Sequence, residues 1–373
     1  LSKEAVSQQE AGVLKPFHGG NLAWAAAIAH CTAADILDFS ASINPLGPPD
    51  SAIAALTAAI PTLSHYPDPA YGDLCQALGA HHHLAPDWIF PGNGAAELLT
   101  WIGRELATAN YAHLITPNFG DYDRALRSFN ALVKTHCLPI DSLPNTATSV
   151  KTLSIPFLTT GLGGQGLLLN DPHNPTGQRF DRTGIQACLE AGALVVIDEA
   201  FIDFLPPMEQ QSWAEAVPHW PNLVVLRSLT KFYSLPGLRI GYAIAHPDRI
   251  RRWQAWRDPW AVNTLAAAVA IAVLQDHVFQ RRTWDWLPPA RSQLWQSLAQ
   301  LPGLQPIPGV ANFLLVKTAT SATELQDKLL RQFRILIRDG LSFTPLGDRF
   351  FRIAVRTTAE NQQLVQALAQ VLA

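Results

Sequence analysis

The sequence predicts an α/β protein, with a large domain on a mostly parallel sheet and a smaller α+β unit after it. Three observations lead there. Between about Ser51 and Trp260, short apolar and partly β-branched runs alternate with patterns long enough for helices. Each run ends in polar, Pro or Gly residues, which is how strands buried on both faces read. Past Trp260 the texture changes to long helical patterns, followed by three more apolar runs.

In chain order, residues 1–45 read as an arm leading to the turn-rich Ser42-Ile43-Asn44-Pro45-Leu46-Gly47-Pro48-Pro49, where Pro and Gly stop regular structure. The strand candidates of the large domain are Ala112 to Thr116, Gly166 to Asn170, Ala193 to Asp198 and Leu223 to Leu226. Strands separated by helices place ligands at the carboxyl ends of the strands. Ala261 to Leu274 reads as a buried helix, too short to span a bilayer. Asn312 to Val316, Ile335 to Arg338 and Phe350 to Val355 read as strands of the small unit, closed by a helix over Asn361 to Leu372. The large domain is expected over 46–260, with 1–45 and 261–373 forming the arm and the small domain.

Composition narrows the class. A hydrophobic fraction of 48% and a charged fraction of 15% allow a large core and argue against disorder. Net charge is −3, from 27 basic and 30 acidic residues, and no long basic run suggests nucleic acid. A small molecule is the expected partner. The four cysteines form no C-x-x-C pair and no disulfide framework, which fits a reducing cytoplasm. Leu1 to Leu14 shows no signal-peptide apolar region, so cytoplasmic placement without a membrane partner is expected. No metal is expected either: His81-His82-His83 reads as a polar loop without a carboxylate or Cys at ligand spacing. Gly161-Leu162-Gly163-Gly164-Gln165-Gly166 fits G-x-G-x-x-G by letters alone, but it precedes a strand and opens no helix.

Four pieces lie where an α/β site belongs. Gly92-Asn93-Gly94-Ala95-Ala96-Glu97 opens a helix with small residues, leaving backbone N–H groups for an anion; a ligand-free helix entry reads the same. Asn170-Asp171-Pro172-His173-Asn174-Pro175-Thr176-Gly177 is a tight turn after a strand, or simply a turn. Asp198 closes an apolar strand, where a buried carboxylate needs a cationic partner unless it caps a helix. Ser228-Leu229-Thr230-Lys231-Phe232-Tyr233-Ser234-Leu235-Pro236-Gly237-Leu238-Arg239-Ile240-Gly241 is the most specific. Its lysine can form an imine when neutral, and Ser228 with Arg239 suits a phosphate.

This last segment resembles the cofactor-attachment pattern of the class I/II aminotransferases, the fold-type I enzymes dependent on pyridoxal 5′-phosphate (PLP). Gly92-Asn93-Gly94, Asn174-Pro175-Thr176-Gly177 and Asp198-Glu199-Ala200 are similar to that family's other motifs, in the same chain order. The resemblance implies a seven-stranded-type sheet in the large domain and a homodimer. It implies that Lys231 carries PLP as a Schiff base and moves protons at the substrate α-carbon. Asp198 would pair with the pyridinium and keep the ring an electron sink. Asn174 would bond the ring's phenolic oxygen and Phe119 would stack on the ring. Gly94 and Ala95 amides, with Ser228 and Arg239, would hold the phosphate. Tyr66 would cross to the neighbouring subunit's cofactor, and Arg352 would bind the substrate carboxylate. Many relatives have Tyr where this chain has Phe201, so one bond to the ring oxygen is missing.

Within the family, His18-Gly19-Gly20-Asn21 and Leu37 to Pro48 resemble the L-threonine-O-3-phosphate decarboxylases of cobalamin biosynthesis, with histidinol-phosphate aminotransferases next. Both groups act on phosphorylated substrates, so a second anion pocket is expected. Arg338, His18 and Gly19 are its candidates, with Asn44 as a further substrate ligand. Arg338 could equally be a structural ion-pair partner. A PLP-fold protein that only binds an effector is the non-enzymatic alternative, disfavoured because no basic segment precedes residue 16.

Overall fold

The computed structural model describes residues 18–143, 152–155 and 162–373. The segment Leu1 to Leu14, the first part of the expected arm, and Gly161 of the glycine-rich run lie outside the described residues. The strands are β1 (Leu37–Asp38), β2 (Ile89–Gly92), β3 (Ala112–Thr116), β4 (Val133–Cys137), β5 (Gly166–Asn170), β6 (Leu194–Asp198) and β7 (Leu223–Ser228). They continue with β8 (Gly241–Ala245), β9 (Leu304–Ile307), β10 (Phe313–Thr318), β11 (Ile335–Leu336), β12 (Arg338–Asp339) and β13 (Phe350–Ala354).

Seven of them form one sheet in the order β2-β8-β7-β6-β5-β3-β4. All its pairings are parallel except the two made by β8, which runs against β2 and β7. Its central strands are apolar up to their last one or two residues because both faces are covered. Leu167, Leu169, Val195, Ile197 and Val225 join one core cluster, while Leu168, Val196, Val224 and Leu226 join the other. That is the two-residue period of a strand. In this sheet the strands that sequence patterning misses are β2 and β4 at the edges, and β8; outside it β1 and β9 are also missed, and the expected strand Ile335 to Arg338 divides into β11 and β12 in two different sheets. β2 carries Pro91, which edges tolerate, and β4 is polar with Lys134 exposed.

A second sheet, β12-β13-β10-β9, is antiparallel, and β1 pairs with β11 to tie the arm onto it. The terminal helix spans Thr358–Leu372, starting before the expected Asn361. Thr357 and Glu360 form a reciprocal capping box that fixes the first turn. The helix Thr264–Leu274 is followed by the long helix His277–Ala299. No helix among the described residues is long and apolar enough to cross a membrane.

One expectation is corrected. His81 and His82 are not in a loop; they end the helix Gly72–His82. Leu74, Cys75 and Leu78 give that helix a buried face, and His82 Nε2 lies 2.8 Å from the Tyr242 hydroxyl.

The site depends on how the helix Ala95–Leu106 meets Asp121–Arg127, because each begins at a cavity-lining loop. At Gly103 a Cβ would run into the backbone of Ala125. Gly103→Ala improves helix propensity by about 1 kcal/mol. Overpacking against backbone costs about 1–3 kcal/mol. We therefore expect Gly103→Ala to lower the denaturation midpoint; a midpoint at or above wild type would show that the helices separate freely.

Candidate active site

A cavity of about 200 Å³ opens where the C-terminal ends of β5, β6 and β7 face the small sheet. Ala95, Phe119, Asn174, Asp198, Ser228, Lys231 and Arg239 line it, together with Arg338, Arg352, His18 and Gly19.

One end is built for an anion. Gly94 has φ +74° and caps the helix Ala95–Leu106; a Cβ there would collide with the Arg239 guanidinium. Only glycine satisfies both conditions. The helix thus starts beneath Arg239, with first-turn N–H groups and dipole directed at the same place. Ser228 ends β7, and its hydroxyl, 2.8 Å from Thr230 Oγ1, caps the short helix Leu229–Phe232 that carries Lys231.

The middle holds a carboxylate and an amine. Asp198 is buried; Oδ1 accepts from the Ala200 N–H at 3.0 Å and Oδ2 from the Tyr122 hydroxyl at 2.8 Å. Burial pushes its pKa up, while the Tyr122 bond, the Ala200 bond and the Lys231 charge pull it back. Burial pushes the Lys231 ammonium down to about 8, helped by Arg352, Arg239 and Arg338, with Asp198 acting the other way. A substantial neutral fraction of amine is therefore present near pH 8, as imine formation needs. A buried carboxylate seeking a cation, a neutral amine and a phosphate cradle fit PLP.

The far end has two arginines. Arg338 and Arg352 are register partners across β12 and β13, and both are buried. Like charges placed opposite on one sheet face oppose folding unless something neutralises them. Burial lowers the pKa of Arg338 to about 10, and burial with the charge of Arg338 lowers that of Arg352 strongly. Arg352 donates to Asn174 Oδ1 at 2.6 Å and to the Ser40 carbonyl at 3.1 Å, but among the described residues its Nε has no partner. Arg338 donates to Ser342 at 3.1 Å and its Nη2 is orphaned. Orphaned N–H groups on buried cations call for an anion. With Oδ1 engaged, Asn174 keeps its N–H₂ group to offer.

His18 sits 5.5 Å from the Phe119 ring. Burial and then Arg338 lower its pKa, with Asp121 opposing. His173 is buried and fixes the neighbouring loops: its Nε2–H donates to the Pro117 carbonyl at 2.9 Å, so Nδ1 accepts from Thr176 at 2.8 Å.

Two expected residues lie elsewhere. Asn44 is outside the cavity, its amide spent on the Phe232 carbonyl, Thr283 and the Leu46 N–H. Its backbone N–H holds the Lys231 carbonyl at 3.1 Å, so it is a structural clamp where a substrate ligand was expected. Tyr66 is 80% exposed and stacks on Trp260 at 4.6 Å, away from this chain's own cavity. Tyr122 was not anticipated; a Tyr three residues after Phe119 reads as ordinary core.

Apoprotein mixed with PLP and trapped with borohydride should become labelled at Lys231, with the rate half-maximal near pH 8 and falling as pH drops and the amine protonates. Arg352→Gln removes a cation and moves that midpoint upward. A midpoint near that of an ordinary lysine, about 10.4, would refute the depressed amine.

Residues 34–368 match the family model described as aminotransferase class I and II. The chain is 39% identical over 364 residues to the threonine-phosphate decarboxylase of Salmonella typhimurium, covering 95% of this chain and 96% of that one. It is 32% identical over 359 residues to histidinol-phosphate aminotransferase 2 of Ralstonia nicotianae, covering 91% and 90%. The crystal structure of L-threonine-O-3-phosphate decarboxylase from Porphyromonas gingivalis superposes with a TM-score of 0.78 at 26% identity, covering 90% of this chain and 98% of that one. With its motifs around one cavity and most of its length matched, the chain belongs to the class I and II aminotransferase family.

Proposed function

We propose that this protein is a PLP-dependent carboxy-lyase that converts L-threonine O-3-phosphate to (R)-1-amino-2-propanol O-2-phosphate and CO₂. One observation carries the substrate class: two buried arginines with orphaned N–H groups lie beyond the phosphate cradle. A cofactor phosphate accounts for the cradle and not for them. They suit a ligand with two further anionic groups, a carboxylate and a phosphate. The relative at 39% identity supports decarboxylation of such a substrate.

The residues divide the work. Gly94 and Ala95 amides, Ser228 and Arg239 would hold the cofactor phosphate, Asp198 the ring nitrogen, Asn174 the phenolic oxygen and Phe119 the ring face. When bound as an imine on Lys231, the cofactor supplies an electron sink for a bond broken at the α-carbon. Arg352 would grip the α-carboxylate, the group that leaves as CO₂. Arg338 with His18 and Gly19 would hold the substrate phosphate. Lys231 would deliver the proton that replaces the carboxylate on Cα.

In this reading the active form is a cytoplasmic homodimer. The exposed Tyr66, braced by Trp260, would reach the neighbouring subunit's cofactor phosphate. The large domain would span 46–260, with 1–45 and 261–373 as arm and small domain. A histidinol-phosphate aminotransferase is the second reading, supported by the relative at 32% identity.

Incubation of the holoenzyme with L-threonine O-3-phosphate alone should release CO₂. No gas, with turnover only when a 2-oxoacid is supplied, would favour the aminotransferase. Arg338→Gln should raise KM roughly tenfold or more, the usual scale for a lost charge-assisted bond. An unchanged KM would remove Arg338 from the phosphate pocket.

A further inference from the structure

We propose that Tyr122 is a positioning residue whose hydroxyl fixes the Asp198 carboxylate against the cofactor's ring nitrogen. The inference rests on the reading of this cavity as a PLP site. Tyr122 is fully buried in the helix Asp121–Arg127, and its hydroxyl donates to Asp198 Oδ2 at 2.8 Å. The Ala200 N–H holds the other oxygen at 3.0 Å. With one donor on each oxygen the carboxylate plane is set, and each oxygen keeps acceptor capacity for a cation in the cavity. The phenol ring is braced by the edge-to-face contact with Phe119, 5.7 Å between centroids at 88°. One short segment therefore presents a ring to the cavity at Phe119 and orients the acid at Tyr122.

The bond matters because the site works against Asp198. Burial favours its neutral form, and a neutral acid would not hold a pyridinium. An O–H···O⁻ bond is charge-assisted and stabilises the ionised form. Burial also keeps the Tyr122 phenol protonated, so it remains a donor at any working pH. Tyr122 is the one phenol among the lining residues; Phe201, packed edge-to-face on Phe313 at 4.9 Å, brings no hydroxyl. This chain thus adjusts the cofactor from the nitrogen side of the ring, through Asp198.

Tyr122→Phe deletes one oxygen atom and keeps the contact with Phe119. In apoprotein titrated with PLP, the variant should bind roughly tenfold more weakly, the scale of one hydrogen bond to a charged group. The visible absorbance of the bound cofactor should titrate at higher pH, because a less protonated ring nitrogen leaves the imine more basic. Two arms separate this role from simple packing. With an analogue whose ring nitrogen is replaced by carbon, wild type and Tyr122→Phe should bind alike. In an Asp198→Asn background, Tyr122→Phe should cost nothing further. Equal PLP affinity and equal titration in wild type and variant overturn the inference, as does an equal penalty with the carbon analogue. A wild-type protein that takes up no PLP at all overturns it together with the reading beneath it.

Discussion

The cavity holds more buried positive charge than it can neutralise, and the rest of the molecule is arranged around that excess. Lys231 and the buried Arg338 and Arg352 line it together with the exposed Arg239, and Asp198 is the one carboxylate among the lining residues. In a low-dielectric interior such charges repel far more strongly than in water. Burial first, and then Arg352, Arg239 and Arg338, depress the Lys231 ammonium. Anions relieve the excess charge. In the proposed reading the excess would serve both to recognise phosphate and carboxylate and to keep an amine reactive.

The two faces of the central strands show that this imbalance is local. Asp198 and Ser228 close β6 and β7 on the cavity face, while Glu199 and Arg227, their neighbours in the chain, turn to the other face. There Arg227 is fully buried but bonded to Glu199 at 3.0 Å and paired with Asp203. Its charge is held by two carboxylates, and its pKa is pushed up despite burial. Among the described residues, neither Arg338 nor Arg352 is held between two carboxylates in this way. The fold can balance buried arginine, and at the cavity it leaves the balance to ligands.

Much of this was legible in the sequence because it is written in local chemistry. A run such as Leu194 to Asp198 reads as a doubly covered strand, and the Gly94 and Lys231 segments suggest an anion site and an imine-forming amine. What stayed hidden is non-local. The edge strand β4 is half solvated and carries no apolar run. Asn44 sits in a motif that suggests ligand binding, yet its partners are Phe232 and Thr283, more than 180 positions along. Tyr122 finds Asp198 across 76 positions, and no spacing rule links a core-like tyrosine to one acid. The pairing of Arg338 with Arg352 depends on strand register, which neither strand states alone.

The segment from Asp38 to Asn44 explains why the arm resembles a substrate-binding motif without supplying every ligand. It runs between the two sheets as a strap, bonded at alternate residues. The Ser40 carbonyl holds Arg352 at 3.1 Å, the Ser42 carbonyl accepts from Asn312 at 3.0 Å, and Asn44 grips the Lys231 turn. At its small-domain end, Phe39 bonds both Leu336 and Ala354. A strap held at both ends helps set the distance between Arg352 and Lys231, which in the proposed reading would face the carboxylate and the α-carbon. Ser40, Ser42 and Asn44 recur at alternate positions in this stretch, and each presents a carbonyl or an amide to a different partner.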